Sequence, residues 1–211
     1  MATVSTARHE ALLEFSNLGN ADHLPTGCYV FPTTDLRWSG VLFLHRGYYQ
    51  GAILHFTLSI PPSYPSTAPT ITFDSPIFHP LVDPSSGRMR LDWRFPAWRA
   101  REDCISHVLH AVKSAFKRKA LEGLREALCA NHEAFHLYRN QTAVFARLAS
   151  QSSLLSAASS TVYAGPPPLR SEHALETPIR FRKLEAGEEE RLKAEVERLG
   201  RAKVVQSAAR A

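Results

Sequence analysis

Long apolar segments are missing from the sequence. No run of about 18 apolar residues occurs, so we predict that the chain has no transmembrane span. Residues 1–5 have none of the apolar stretch that a secretory signal requires, and we therefore expect a cytoplasmic protein with access to the nucleus.

Cysteine is also scarce, since the chain has only three: Cys28, Cys104 and Cys129. They are widely separated and none belongs to a Cys-x-x-Cys pair, so neither a zinc site nor a disulfide framework is indicated. We therefore predict no bound metal and no cofactor. We interpret the three cysteines as reduced thiols that pack as small apolar side chains.

The charge of the chain does not indicate a nucleic-acid partner. The formal net charge is +5, but the basic residues are dispersed among acidic ones, apart from a loose cluster at residues 117–119. No nucleic-acid recognition motif accompanies this charge, so we predict that no nucleic acid is bound.

The pattern of apolar residues predicts an α+β fold. Residues 7–18 have the composition of an N-terminal helix. Four segments are typical of β-strands, at residues 28–32, 37–46, 51–61 and 70–74. Apolar residues occupy every second position from Leu54 to Ile60, as in a strand with one buried face. The short connections favour a four-stranded antiparallel meander.

Further helices are predicted after the meander. Residues 75–101 are an irregular stretch, and loops of this length are often functional. Apolar residues then recur at helical spacing over residues 102–117. Residues 121–149 are predicted to form one or two C-terminal helices, with Asn131 as a break or cap between them.

Three segments are predicted along the chain. Residues 7–149 form the folded domain, residues 150–183 are a linker rich in serine, alanine and proline, and residues 184–211 are a charged tail of helical character. Glu189 and Lys193 are spaced for an ion pair on that helix. Two interpretations of the tail are open: its apolar residues dock on the domain or on a partner, or it is a solvated, partly formed helix.

Three local motifs stand in order along the chain. They are PPSYPSTAP at residues 61–69, FHPL at residues 78–81 and GRMRLDW at residues 87–93. This order resembles the ubiquitin-conjugating (E2) enzyme family, in which a YPxxxP turn, a His-Pro-Asn tripeptide and a catalytic Gly-x-Ile/Val-Cys-Leu-Asp segment follow one another. The resemblance covers about residues 7–118 and implies the E2 fold.

Two residues depart from the catalytic pattern of that family. Arg90 stands at the position of the nucleophilic cysteine, and a guanidinium, which stays protonated, cannot accept ubiquitin as a thioester. Leu81 stands at the position of the asparagine, so the amide that would stabilise developing negative charge is missing. We therefore predict an E2 variant that has no catalytic residues and is not an enzyme.

Two other residues have both a chemical and a structural interpretation. His79 is either a proton shuttle or a side chain that hydrogen-bonds the loop backbone, and we favour the second. Cys104 is the strongest alternative nucleophile, because a helix N-terminus can lower a thiol pKa. A structural role fits Cys104 better, and Cys28 and Cys129 are weaker candidates still.

A longer segment resembles one particular group of E2 variants. Residues 77–87, IFHPLVDPSSG, are similar to the FHPLVDPxSG segment of the AKT-interacting protein family, also called Fused Toes. That family has the same leucine after His-Pro and no cysteine afterwards. Residues 47–50, 97–99 and 131–134 are similar to it as well, and the resemblance covers residues 24–149.

This resemblance implies a non-catalytic adaptor. That family associates with Hook proteins and a Hook-interacting protein in a complex that links endosomes or vesicles to microtubule motors, and binding to an AKT-like kinase is also attributed to it. The implied location is the cytoplasm, at the cytosolic face of those membranes. The helices of residues 121–149 are the predicted docking surface for a coiled coil.

Two alternative functions are open. Some E2 variants pair with an active E2 and orient ubiquitin for chain assembly, so a ubiquitin-pathway cofactor is the first alternative. A divergent enzyme that uses Cys104 is the second.

Overall fold

The structure is a computed structural model that describes residues 2–20, 22–34, 36–163, 181–185 and 187–208. Residues 164–180, which belong to the predicted linker, lie outside the described residues. The chain divides into two units, residues 1–180 and residues 181–211. Within the described ranges, no helix is long and apolar enough to cross a membrane.

An antiparallel sheet forms the centre of the first unit. Its five strands lie in chain order: β1 Cys28–Thr34, β2 Arg37–Phe43, β3 Ile53–Ser59, β4 Thr70–Phe73 and β5 Arg88–Met89. The first four strands confirm the predicted meander, and the two-residue β5 adds an edge next to β4. Leu54 is 1% exposed and Phe56 and Leu58 are 0% exposed, so the alternation seen in the sequence marks the buried face of β3.

Helices precede and follow the sheet: α1 Ala2–Asn17, α2 Ile105–Ala115, α3 Arg118–Gly123, α4 His132–Asn140, α5 Thr142–Ser156 and α6 Ser159–Tyr163. A 3-10 turn, Glu126–Leu128, lies between α3 and α4. The helix predicted from apolar spacing is α2, whose Val108 and Leu109 are fully buried. Asn131 caps α4 as predicted, because its Oδ1 accepts a hydrogen bond from the Ala134 amide at 2.9 Å.

The first part of the predicted linker is helical. Residues 150–163 complete α5 and form α6, although their serine- and alanine-rich composition favours a flexible segment. Small side chains let α5 pack closely, and Ser153 and Ser156 are at most 2% exposed. Ser153 Oγ donates to the Ala149 carbonyl at 2.8 Å, and Ser156 Oγ accepts from the Ile53 amide at 3.2 Å. The folded unit therefore extends beyond the predicted boundary at residue 149.

The apolar stripes of residues 121–149 face the interior of the first unit. Most of their large side chains are at most 9% exposed: Leu121, Leu124, Phe135, Tyr138 and Phe145. Leu128 and Leu148 are half-exposed. Side chains packed in the core are not available to a partner, so most of each stripe cannot serve as the predicted docking surface and only its half-exposed members remain available.

A carboxylate from α1 completes the start of α2. The N-cap residue of α2, Cys104, makes no side-chain hydrogen bond to the helix, so the Ile105 amide needs another acceptor. Glu14 Oε2 accepts from that amide at 2.6 Å, and the Tyr64 hydroxyl donates to Glu14 Oε1. Burial raises the pKa of Glu14 above its ordinary value. This one side chain therefore ties α1 to α2 and to the turn that carries Tyr64.

Replacing Glu14 with alanine is expected to lower the free energy of unfolding by about 2 kcal/mol, because the Ile105 amide and the Tyr64 hydroxyl both lose their acceptor. Chemical denaturation at pH 7 measures this loss. Glu14→Gln is the matched control, since an amide oxygen still accepts from Ile105, and it should keep most of the stability. Equal losses in the two variants would contradict the capping role.

The same pair of variants has a predicted pH dependence. Because the Glu14 pKa is raised in the folded state, the stability gained from its protonated form is full below the ordinary pKa of 4.5 and is lost as the pH rises. Glutamine has no such titration. The stability of Glu14→Gln relative to the unmodified chain should therefore increase as the pH rises above 4.5.

The second unit contains one long helix, α7, which spans Glu188–Ala208. The predicted ion pair is present, with Lys193 Nζ 2.6 Å from Glu189 Oε1. Leu192 and Val196 are 47% and 66% exposed. These two side chains are therefore in contact with solvent.

Candidate functional site

The third sequence motif faces the first across a surface groove. The groove has a volume of about 820 Å³ and is lined by residues from three parts of the chain, which lie within residues 61–70, 83–92 and 129–130. We call it the β5 groove, because β5 and the residues after it form one wall. The FHPL motif adjoins this wall, since the Arg90 amide donates to the Leu81 carbonyl at 2.8 Å.

Arg90 lies in the β5 groove with its guanidinium engaged on three sides. Nε donates to Asp92 Oδ1 at 3.1 Å, and Nη2 donates to the other oxygen of that carboxylate. Nη1 donates to the Ala127 carbonyl at 3.1 Å. The hydrogen bonds to Asp92 raise the pKa of Arg90, so the side chain remains a cation. It is neither a nucleophile nor a base, and it ties the groove wall to the 3-10 turn.

His79 and Leu81 support this wall from inside. Leu81 is 0% exposed, and its side chain offers no hydrogen-bond donor. The Leu81 amide donates to His79 Nδ1 at 3.0 Å, which leaves Nε2 to donate to the Ala115 carbonyl at 3.2 Å. Burial lowers the pKa of His79 to about 4, so the ring is neutral at pH 7. Both ring nitrogens bind the backbone, as the structural interpretation of His79 predicts.

The sequence names Cys129 only as a weak alternative nucleophile and gives no sign that it lies in the β5 groove. Cys129 lines the β5 groove because the Ala130 and Asn131 amides both donate to the Pro80 carbonyl at 2.9 Å. No local pattern in the sequence indicates this contact, which joins residues far apart along the chain. The Cys129 side chain is 2% exposed, and its thiol donates to the Arg125 carbonyl at 3.4 Å.

The environment of Cys129 suppresses its reactivity. Burial raises the pKa of the thiol to about 11, although the nearby Arg90 guanidinium acts in the opposite direction. Only a very small fraction is thiolate at pH 7, and the thiolate is the nucleophilic form. The groove therefore contains a sulfur atom that is covered and protonated.

The other two cysteines lie outside the residues that line the β5 groove. Cys28 is 3% exposed, and burial raises its pKa to about 12. Cys104 is half-exposed at the start of α2, and burial raises its pKa too, so the helix N-terminus does not activate this thiol. No group of three or more potential metal ligands is assembled within the described ranges.

A family comparison agrees with this fold. Residues 13–153 match the family model of ubiquitin-conjugating enzymes, a range that includes the whole sheet, the β5 groove and most of α5. The match covers more than half of the chain. The protein therefore belongs to the ubiquitin-conjugating enzyme family.

Within that family, the chain is similar to proteins named AKT-interacting protein, which confirms the resemblance found in its motifs. It is 38% identical to the Danio rerio protein over 123 residues, which are 56% of this chain and 40% of the relative. It is 37% identical to the Homo sapiens protein over 122 residues, which are again 56% of this chain and 40% of the relative. It is also 31% identical to the protein crossbronx homolog of Anopheles gambiae over 141 residues, 65% of this chain and 61% of that protein. The matched region thus spans about 40% of the length of the AKT-interacting relatives.

Proposed function

We propose that this protein is a non-catalytic E2 variant that acts as an adaptor. The observation that carries the proposal is that the only thiol among the described residues that line the β5 groove is covered and protonated. That thiol is Cys129, which is 2% exposed with a pKa of about 11. An enzyme that accepts ubiquitin as a thioester needs an accessible thiolate in this position.

The surrounding residues support the same proposal. By its resemblance to the family, Arg90 replaces the nucleophile, and its guanidinium is held by Asp92 and the Ala127 carbonyl. Leu81 replaces the asparagine, and no side-chain amide is available there to stabilise a developing negative charge. A groove without a nucleophile and without that donor can still bind another protein.

We expect no ubiquitin thioester on this protein. Incubation with E1, ubiquitin and ATP, followed by a non-reducing gel, should give no band that is sensitive to reducing agent, whereas an active E2 in parallel gives one. The physical reason is that Arg90 cannot attack, Cys129 is covered and Cys104 is not activated.

Two cysteine variants locate any activity that does appear. A thioester band lost only in Cys129→Ala would place a nucleophile in the β5 groove, and one lost only in Cys104→Ala would support the divergent enzyme. Either result contradicts the proposal. Thermal melts of both variants establish that they are folded.

The proposed biological role is that of the Fused Toes-like subunit of a Hook-containing complex, which links endosomes or vesicles to microtubule motors at their cytosolic face. The similarity to AKT-interacting proteins supports this role, and their name makes an AKT-like kinase a further proposed partner. A Hook coiled coil and a Hook-interacting protein are the other proposed partners.

Binding to purified candidates tests this role. The full chain should retain the C-terminal coiled-coil segment of a Hook protein in a pull-down and should retain neither an active E2 nor free ubiquitin. Retention of an active E2 or ubiquitin, without the Hook segment, would replace the adaptor with a ubiquitin-pathway cofactor.

A further inference from the structure

α5 carries an exposed stripe with the spacing of a coiled-coil seam. Val144, Leu148, Gln151 and Leu155 follow one another at intervals of four, three and four residues, so they lie on one side of the helix. Val144 is 39% exposed, Leu155 is 60% exposed and Leu148 is half-exposed. We call these four residues the α5 stripe. Its spacing matches the a and d positions through which two helices pack together.

A groove runs beside the α5 stripe. This groove, which we call the α5 groove, has a volume of about 400 Å³. It is lined by Leu148, Gln151, Ser152 and Leu155 of α5, together with residues 73–78, residues 82–87 and Asn131. Ile77 and Val82 contribute apolar lining and are 6% and 1% exposed. The stripe therefore adjoins a depression with both apolar and polar lining and not a flat surface. Such a depression can receive the side chains of a second helix.

Among the described residues, the charged ones that line the α5 groove are both acidic. They are Asp74 and Asp83, and no described lysine or arginine belongs to the lining. The Ser85 hydroxyl at 2.6 Å and the Ser86 amide at 2.8 Å donate to Asp83 Oδ1, and these hydrogen bonds lower the pKa of Asp83 to about 2. Burial raises the pKa of Asp74, so Asp83 keeps its negative charge to a lower pH than Asp74 does. A complementary partner brings basic residues to this rim.

We propose that the α5 groove is the docking site for one amphipathic helix of a coiled-coil partner. Its a and d residues pack on the α5 stripe, and basic residues beside that seam face Asp74 and Asp83. A second copy of this chain fits less well, because a two-fold contact through α5 would bring the same acidic rims together. The inference rests on the proposed adaptor function only for the identity of the natural partner.

Two neighbouring leucines provide a matched test. Leu155 lies in the α5 groove and is 60% exposed, whereas Leu154 is 71% exposed and does not line it. Leu155→Asp should weaken binding at least about tenfold, because it places a charge in the apolar contact. Leu154→Asp should change binding less than about twofold. Since both positions are exposed, both variants should keep the thermal melting curve of the unmodified chain.

Two probes are used with the full-length chain. One is the C-terminal coiled-coil segment of a Hook protein. The other is a designed helical peptide with leucine at its a and d positions and lysine at e and g, where like charges keep it from pairing with itself. The same peptide with glutamate at e and g is the charge control and should bind at least about tenfold more weakly. Binding is measured by fluorescence anisotropy.

The outcomes separate this inference from the proposed function. If the Hook segment binds equally to both variants, the docking site is wrong while the adaptor function stands. If only the lysine peptide binds, and Leu155→Asp weakens it, the docking site stands while the Hook assignment falls. If neither probe binds the unmodified chain, the α5 groove is not a docking site. A dimer that Leu155→Asp converts to a monomer would identify a second copy as the occupant and overturn the proposal.

Discussion

Replacing His79 with alanine is expected to lower the free energy of unfolding by about 3–5 kcal/mol, and the melting temperature by about 10 °C. His79 is 0% exposed and packs against the rings of Tyr49 and Phe116, with centroid distances of 5.4 and 4.8 Å. Alanine leaves a cavity there. It also leaves the Leu81 amide and the Ala115 carbonyl without their partner. Urea denaturation and calorimetry measure the two quantities.

The free energy of unfolding lost in His79→Ala should become smaller as the pH falls. The folded-state pKa of His79 is about 4, below its ordinary value of 6.5, so the unfolded chain takes up a proton first as the pH falls. The stability contributed by neutral His79 is full above pH 6.5 and is lost as the pH falls towards about 4. The difference between the unmodified chain and His79→Ala should therefore shrink by about 3 kcal/mol over that range.

A surface histidine is the control for this experiment. His110 is exposed and makes one hydrogen bond, from its ring to the Asp22 carbonyl at 2.9 Å. His110→Ala should lower the free energy of unfolding by about 1 kcal/mol or less. If His79→Ala lowered the free energy of unfolding no more than His110→Ala does, the stability of the loop would not depend on the buried ring.

Gly87→Ala is the second substitution with a large expected effect. It should lower the free energy of unfolding by about 3 kcal/mol. Gly87 has a φ of +70°, a conformation that favours glycine and disfavours alanine by about 1–2 kcal/mol. A Cβ atom there would also lie 2.3 Å from the Phe73 carbonyl oxygen. That oxygen belongs to β4 and cannot move aside as a side-chain end could, so the clash adds to the backbone strain.

Gly51→Ala separates these two causes. Gly51 also has a positive φ, +86°, but nothing lies within 4 Å of the Cβ position. Gly51→Ala should therefore lower the free energy of unfolding only by the backbone strain, about 1–2 kcal/mol. The difference between the two variants in urea denaturation measures the clash at Gly87. Equal losses would mean that the backbone around Phe73 relaxes.

The sheet and the main helix could be predicted from the sequence because their signals are local. Alternation from Leu54 to Ile60 reports a strand with one buried face, and the spacing of Val108 and Leu109 reports the buried face of a helix. The end of α5 could not be predicted in this way. Serine and alanine are as compatible with a linker as with close packing, and only the contact of Ser156 with β3 decides between them.

The candidate site was predictable in part for the same reason. Arg90 and Leu81 stand in recognisable motifs, so the sequence alone predicts that they depart from the family pattern. Cys129 is brought to the β5 groove by hydrogen bonds to the Pro80 carbonyl, and such tertiary contacts leave no periodic signal. The exposure of the α5 stripe depends likewise on which helix faces the core covers, and apolar spacing alone does not distinguish a covered face from an open one.

The contacts of Arg90 and Leu81 also set the cost of placing a cysteine at position 90 and an asparagine at position 81. Cysteine at position 90 would release Asp92 and the Ala127 carbonyl, and asparagine at position 81 would bury an amide where the leucine is now 0% exposed. Each substitution alone is therefore expected to weaken the fold. Both side chains are held in place by the stability of the domain as well as by any function of the groove.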